Sequence, residues 1–124
     1  MTDAKFILSK KILIEQFQKL RDSGLKVSYS YKTNREVGKL IQDLKLDCDF
    51  SIHAKEELED IRDKKRIWFF VQAESADELK KILHKGVKKF VVDNEEDLKN
   101  VLRVIEEKKI KISLSLRMRC QEHR

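Results

Sequence analysis

Apolar residues along the chain gather in five short runs, 26–31, 48–53, 66–71, 88–92 and 110–116, whose starts recur roughly every 20 residues. Ile67-Trp68-Phe69-Phe70-Val71 and Phe90-Val91-Val92 are apolar without alternation, as strands covered on both faces require. Trp68 and Phe69 are therefore expected in the core. Between the runs the period changes to that of a helix. Leu98, Val101, Leu102 and Ile105 recur at i, i+3, i+4 and i+7, as do Val37, Leu40, Ile41 and Leu44, and Leu79, Ile82 and Leu83 form a shorter stripe. Strand–helix alternation of this kind predicts βαβ units and a parallel sheet, in the order α-β-α-β-α-β-α-β-α-β.

The punctuation agrees with the periods. Ser75-Ala-Asp-Glu78 is a capping box that opens one helix, and Gly86 stands at its C′ position. Gly24 closes the first helix, 10–22, in the same way, and Asn94 caps the last interstrand helix after Asp93. Two architectures fit: an open doubly wound sheet, or part of a (β/α)8 barrel. A complete barrel typically needs about 250 residues. Five strands would leave one open, with unpaired edges available to another chain. No final helix follows strand five in residues 117–124, so the fold is expected to be an interrupted one.

Composition bounds the rest. The 124 residues suffice for one domain, and no proline-rich linker divides them. Charged residues make up 40%, mostly Lys and Glu, a bias shared by thermophile proteins and by the products of AT-rich genomes. No window approaches the roughly 18 apolar residues of a membrane span, and Met-Thr-Asp-Ala-Lys does not begin a signal peptide, so the expected location is cytoplasmic. Cys48 and Cys120 share no metal spacing with His53, His84 or His123, which predicts reduced thiols and no zinc site. The net charge of +6 raises nucleic-acid binding. Against it, Glu56-Glu57 is balanced by Lys64-Lys65, and Glu106-Glu107 by Lys108-Lys109, the pattern of solvated helix faces. Arg117, Arg119 and Arg124 are the exception, but no aromatic-basic platform accompanies them.

One short stretch carries candidate chemistry. Tyr29-Ser-Tyr-Lys32-Thr-Asn34 puts a lysine at the end of the first strand, followed by two good helix N-cap residues. α/β folds keep their chemistry at the C-terminal tips of strands, and an amine placed there can form a Schiff base with an aldehyde cofactor. The stretch resembles the first-strand motif Tyr-Ala-Val-Lys-Ala/Cys-Asn of the ornithine/diaminopimelate/arginine decarboxylases, which are fold-type III pyridoxal-phosphate enzymes. Phe50-Ser-Ile-His-Ala-Lys-Glu-Glu57-Leu58 is similar to their second-strand pattern, with Ser51 in place of the usual Asp. Val92-Asp93-Asn94-Glu-Glu-Asp97-Leu98 and Leu114-Ser-Leu-Arg117 resemble the fourth and fifth. The third strand's usual Pro-Lys signature is replaced by Gln72-Ala-Glu-Ser75.

The resemblance spans roughly residues 6–119 and selects the barrel: an α/β chain forming a partial (β/α)8 barrel of about five parallel strands. It implies that residues 1–124 are the N-terminal part of an alanine-racemase-like barrel domain. The Gly-rich phosphate loop, the ring-stacking histidine and the C-terminal β-domain would then lie outside these residues. The implied cofactor is pyridoxal 5′-phosphate, held by Lys32 as an internal aldimine, with burial tuning the amine. Arg117, Glu57 and His53 are its implied neighbours. The implied reaction is decarboxylation of an amino acid, a basic one by preference, as in polyamine biosynthesis. The implied assembly is a homodimer or association with the missing half, and the 124-residue chain alone is expected to be inactive. A racemase or cofactor-carrier barrel shares the first-strand lysine, and a regulatory or decoy partner of a full decarboxylase would account for Ser51.

Overall fold

Residues 2–117 are described by the structure, a computed structural model, with side chains from residue 10 onward. Arg119, Cys120, His123 and Arg124 lie outside the described residues. The chain is an α/β fold in which five parallel strands alternate with helical segments. It divides into two compact bodies, one up to Phe50 and one from Ser51.

In the first body, helix α1 (Thr2–Asp22) buries Phe17 and ends as expected at Gly24. Gly24 has φ +80°, and its N–H donates to the Arg21 carbonyl at 2.9 Å. Strand β1 (Val27–Ser30) is one residue shorter at each end than its apolar run suggests. Tyr31 leaves the strand and opens a 3-10 turn, Tyr31–Thr33. The reason is packing: the Tyr31 ring is buried against Gly38 of helix α2 (Arg35–Asp43), which an extended chain could not reach. Asn34 caps α2, its side chain accepting the N–H groups of Glu36 and Val37 at 3.0 and 3.3 Å. Gly38 and Ile41 are buried and Val37, Leu40 and Leu44 half-buried, so the predicted stripe faces inward.

Strand β2 (Cys48–Ile52) alternates, with Cys48, Phe50 and Ile52 buried. The helix expected between the second and third strands is a correction. Two 3-10 helices, Lys55–Asp60 and Lys64–Arg66, stand there instead. Leu58 and Ile61 are the large apolar residues of that segment, both buried, and a spacing of three suits a 3-10 turn. They are too few for a helical stripe. The Lys64 ammonium donates to the carbonyls of Leu58 and Ile61, each at 2.5 Å, tying the second short helix to the end of the first.

The second body continues with β3 (Ile67–Phe70), α3 (Ala76–His84), β4 (Lys89–Val92), α4 (Glu95–Lys108) and β5 (Ser113–Leu116). β3, β4 and β5 are parallel neighbours, with Phe69 opposite Phe90 and Phe90 opposite Leu114. One face of these strands meets the helices. Leu79, Phe90, Val101 and Val104 surround a residual void of only about 10 Å³, about the limit for a single water. Phe69 and Phe90 pack edge to face, with centroids 6.3 Å apart at 73°. Trp68, expected in the core, lies on the other face. It is half-buried and carries the Lys89 ammonium 5.3 Å from its ring centroid.

β5 begins later than its apolar run because α4 ends on a non-glycine left-handed residue. Lys109 has φ +52°, and its N–H donates to the Ile105 carbonyl at 2.8 Å. Residues 110–112 then carry the chain to the sheet, where the Ser113 N–H meets the Lys88 carbonyl at 2.8 Å. Lysine is strained at that cap and glycine is not. Lys109→Gly is expected to raise stability by about 0.5–1 kcal/mol, read as a higher urea midpoint at unchanged slope. No helix among the described residues is long and apolar enough to cross a membrane. No group of His, Cys, Asp or Glu among them is placed to hold a metal ion.

Candidate functional site

Lys32 sits in the 3-10 turn directly after β1, so the strand does deliver it to its C-terminal tip. Its side chain is exposed rather than buried as expected. The backbone on either side is fixed. Tyr31 is locked under α2, and the Tyr29 hydroxyl donates to the Asn34 carbonyl at 3.1 Å, bracing the turn from strand to helix cap. Partial burial pushes the Tyr29 phenol above its ordinary range, which keeps it a donor. A reachable amine on a rigid turn is the arrangement a lysine needs for attack on a carbonyl.

The other three candidates belong to the second body. His53 follows β2, half-buried, with its ring stacked on Phe70 at 4.2 Å and 23°. Glu57 lies on the first 3-10 helix, where its backbone N–H donates to the Ala54 carbonyl at 3.0 Å. Unlike an ordinary surface carboxylate it is only 5% exposed. Arg117 follows β5, exposed, and its N–H donates to the Val92 carbonyl at 2.8 Å. That bond sets it level with Asp93, beyond the C-terminal end of β4. His53 and Arg117 thus stand just past the C-terminal ends of their strands, and Glu57 lies in the helix that follows β2.

Sequence reasoning missed Asp97. At the C-terminal ends of β3 and β4 lies an open cleft of about 500 Å³, lined by Val71, Ala73, Asp93, Asn94 and Asp97 among others. Asp97 is 4% exposed, and its carboxylate accepts the Ala73 N–H and the Asn94 amide, the latter at 2.8 Å. The Asp97 N–H in turn donates to Asn94 Oδ1 at 2.8 Å. The available signal was the three-residue step from Asn94 to Asp97, which matches a capping box. Asp93 also accepts from the Asn94 amide, at 3.0 Å.

The capping box of α3 forms as predicted, and it adds a partner. Ser75 Oγ accepts the Glu78 N–H, and Glu78 Oε1 accepts the Ser75 N–H, both at 3.2 Å. Glu78 Oε2 also holds the Lys55 ammonium from the segment after β2. This bond keeps the Glu78 carboxyl below its ordinary range and the Lys55 ammonium above its own. The pair contributes stability above the ordinary glutamate pKa, and acid removes it as Glu78 protonates. On the alkaline side the contribution is complete below the ordinary lysine pKa and is lost as pH rises through the raised one. Glu78→Gln should lower the urea midpoint at neutral pH, and the difference from the parent should vanish in acid.

Charge along this edge is uneven. Glu74, Glu78, Asp93, Glu95, Glu96 and Asp97 cluster at the starts of α3 and α4, while Lys55 is engaged by Glu78 and Arg117 stands at the end of β5. Desolvation raises the Glu74 carboxyl above its ordinary range. Such an edge suits a cationic group better than a phosphate.

Comparison with known proteins gives one result. Searches of curated proteins and of solved structures found no match. The family model described as pyridoxal-dependent decarboxylase, pyridoxal binding domain, matches residues 10–124. That span includes the Lys32 turn, the second-strand segment with His53 and Glu57, and Arg117. With nearly its whole length matched, the chain belongs to the pyridoxal-dependent decarboxylases, as their pyridoxal-phosphate-binding barrel domain.

Proposed function

We propose that this chain is the N-terminal barrel portion of an amino-acid decarboxylase and that Lys32 is its covalent attachment point for pyridoxal phosphate. The observation that carries the reading is the Lys32 turn: an exposed amine at the tip of β1, in a matched motif, on a backbone held by Tyr29, Tyr31 and Asn34. These residues fit the aldehyde end of the cofactor. The acidic edge of the second body does not fit its phosphate end, so the phosphate anchor is assigned to no described residue there. Bound pyridoxal phosphate supplies an electron sink for the negative charge left when carbon dioxide departs.

The chain's own residues divide the remaining work. The Lys32 amine would hold the aldehyde end of the cofactor, and its exposed position at the tip of β1 would leave that end open to a substrate amine. Arg117 offers an exposed guanidinium for a substrate carboxylate. The aromatic stack of His53 on Phe70 fixes the imidazole plane, and the buried Glu57 supplies a carboxylate after β2. A basic amino acid is the substrate we favour, on the likeness of Tyr29–Asn34 and Phe50–Leu58 to the ornithine/diaminopimelate/arginine decarboxylase motifs. The working assembly we favour is a homodimer, or a complex with the remainder of the barrel.

Titration with pyridoxal phosphate, followed by absorbance, tests the reading. The parent chain should develop a one-to-one visible band that Lys32→Ala lacks. Equal colour in both would contradict it.

A further inference from the structure

The loop after β3 holds a residue in a conformation it would not choose. Ala73 has φ +60°, the left-handed region that side-chain-bearing residues avoid. Its N–H donates to both carboxylate oxygens of Asp97, at 3.2 and 3.4 Å. A buried carboxylate needs donors, and Asp97 draws them from two loops: Ala73 after β3 and Asn94 after β4. Asp97 is itself fixed in the first turn of α4 by its N–H bond to Asn94, where the helix dipole favours a negative charge. The far side of the same loop is bounded by the Gln72 N–H on Glu74 Oε1 at 2.6 Å and by the Ser75–Glu78 box. Of these bonds, only the one to Asp97 engages the left-handed residue.

We propose that Asp97 is a positioning residue: by accepting the Ala73 N–H it holds the loop after β3 in the left-handed turn that forms one wall of the cleft beside β4. The consequence for a ligand in that cleft rests on the function proposed above, whereas the hold on the loop does not.

Nuclear magnetic resonance of the full chain with Asp97→Ala, Ala73→Gly and the two combined tests this. Asp97→Ala should speed hydrogen exchange at the residue-73 amide roughly tenfold or more, the scale of losing a bond to a charged acceptor. The shifts of residues 72–74 should leave left-handed values. Ala73→Gly alone should leave Gln72 and Glu74 unchanged. The double variant should return them towards the parent, because glycine adopts the turn without strain. General loosening would not be rescued in this way. Unchanged exchange and shifts in Asp97→Ala, or no return in the double variant, would overturn the proposal. Should Asp97→Ala fail to fold, a folded double variant supports the proposal and an unfolded one overturns it. No readout uses pyridoxal phosphate, so a chain that failed to bind it would refute the proposed function alone.

Discussion

Gly38→Ala is expected to destabilise the first body by about 1–2 kcal/mol, although alanine is the better helix former by about 1 kcal/mol. Gly38 lies in the middle of α2, where no turn requires glycine. A Cβ there would meet Cδ1 and Cε1 of Tyr31 at 2.6 Å each, well inside contact distance. The Tyr31 ring is 1% exposed, so it cannot swing into solvent to make room. The overpacking penalty therefore outweighs the propensity gain, and larger side chains should do worse. Gly24→Ala is the control. A Cβ at that site meets nothing within 4 Å and only the φ of +80° resists it, so a loss of roughly 1 kcal/mol is expected from conformation alone. Urea unfolding of the two variants beside the parent checks both the sign and the order. The effect also reaches the candidate chemistry, because Tyr31 is the residue before Lys32. A displaced ring would re-aim the turn, and Gly38→Ala should react more slowly with pyridoxal phosphate than its stability loss alone explains.

Lys32→Ala is expected to abolish site-specific reaction with pyridoxal phosphate while leaving the fold intact. The side chain is exposed and the turn is held by its neighbours, so removal costs little stability. Exposed substitutions away from special backbone sites usually fall within about 0.5 kcal/mol. Lys32→Arg is the sharper variant: it keeps the charge and length, yet guanidinium stays protonated and is no nucleophile. Both variants should lose the one-to-one absorbance band and keep the parent's urea midpoint. Any decarboxylation by the parent chain in complex with the remainder of a barrel should fall at least a thousandfold in either variant, on the scale of losing an essential covalent catalyst.

The α/β class, the stripe of α2, the α3 capping box and the C′ glycines were legible because each is local, whereas in α4 the expected Leu102 is exposed and Val104 is buried beside Val101. Period and cap chemistry need no knowledge of distant residues. Three features were not legible. Tyr31 extends an apolar run and so looks like strand, but its partner Gly38 pulls it into a 3-10 turn. The segment between β2 and β3 has helix-forming residues, yet Leu58 and Ile61 supply only one turn's worth of buried surface. Left-handed Ala73 and Lys109 carry no sequence signature, since glycine is the residue expected at such positions. Of the candidate site, Lys32 stood out by motif and strand position. Asp97 did not, because its partner Ala73 lies 24 residues away and belongs to another loop.

Reductive trapping shows whether Lys32 is the cofactor lysine. The chain is mixed with one equivalent of pyridoxal phosphate, reduced with borohydride, digested and mapped by mass spectrometry. The pyridoxyl group should concentrate on the peptide containing Lys32, well above every other lysine, and Gly38→Ala should lower this preference. Label spread evenly over the surface lysines, or concentrated on one other than Lys32, would contradict that assignment.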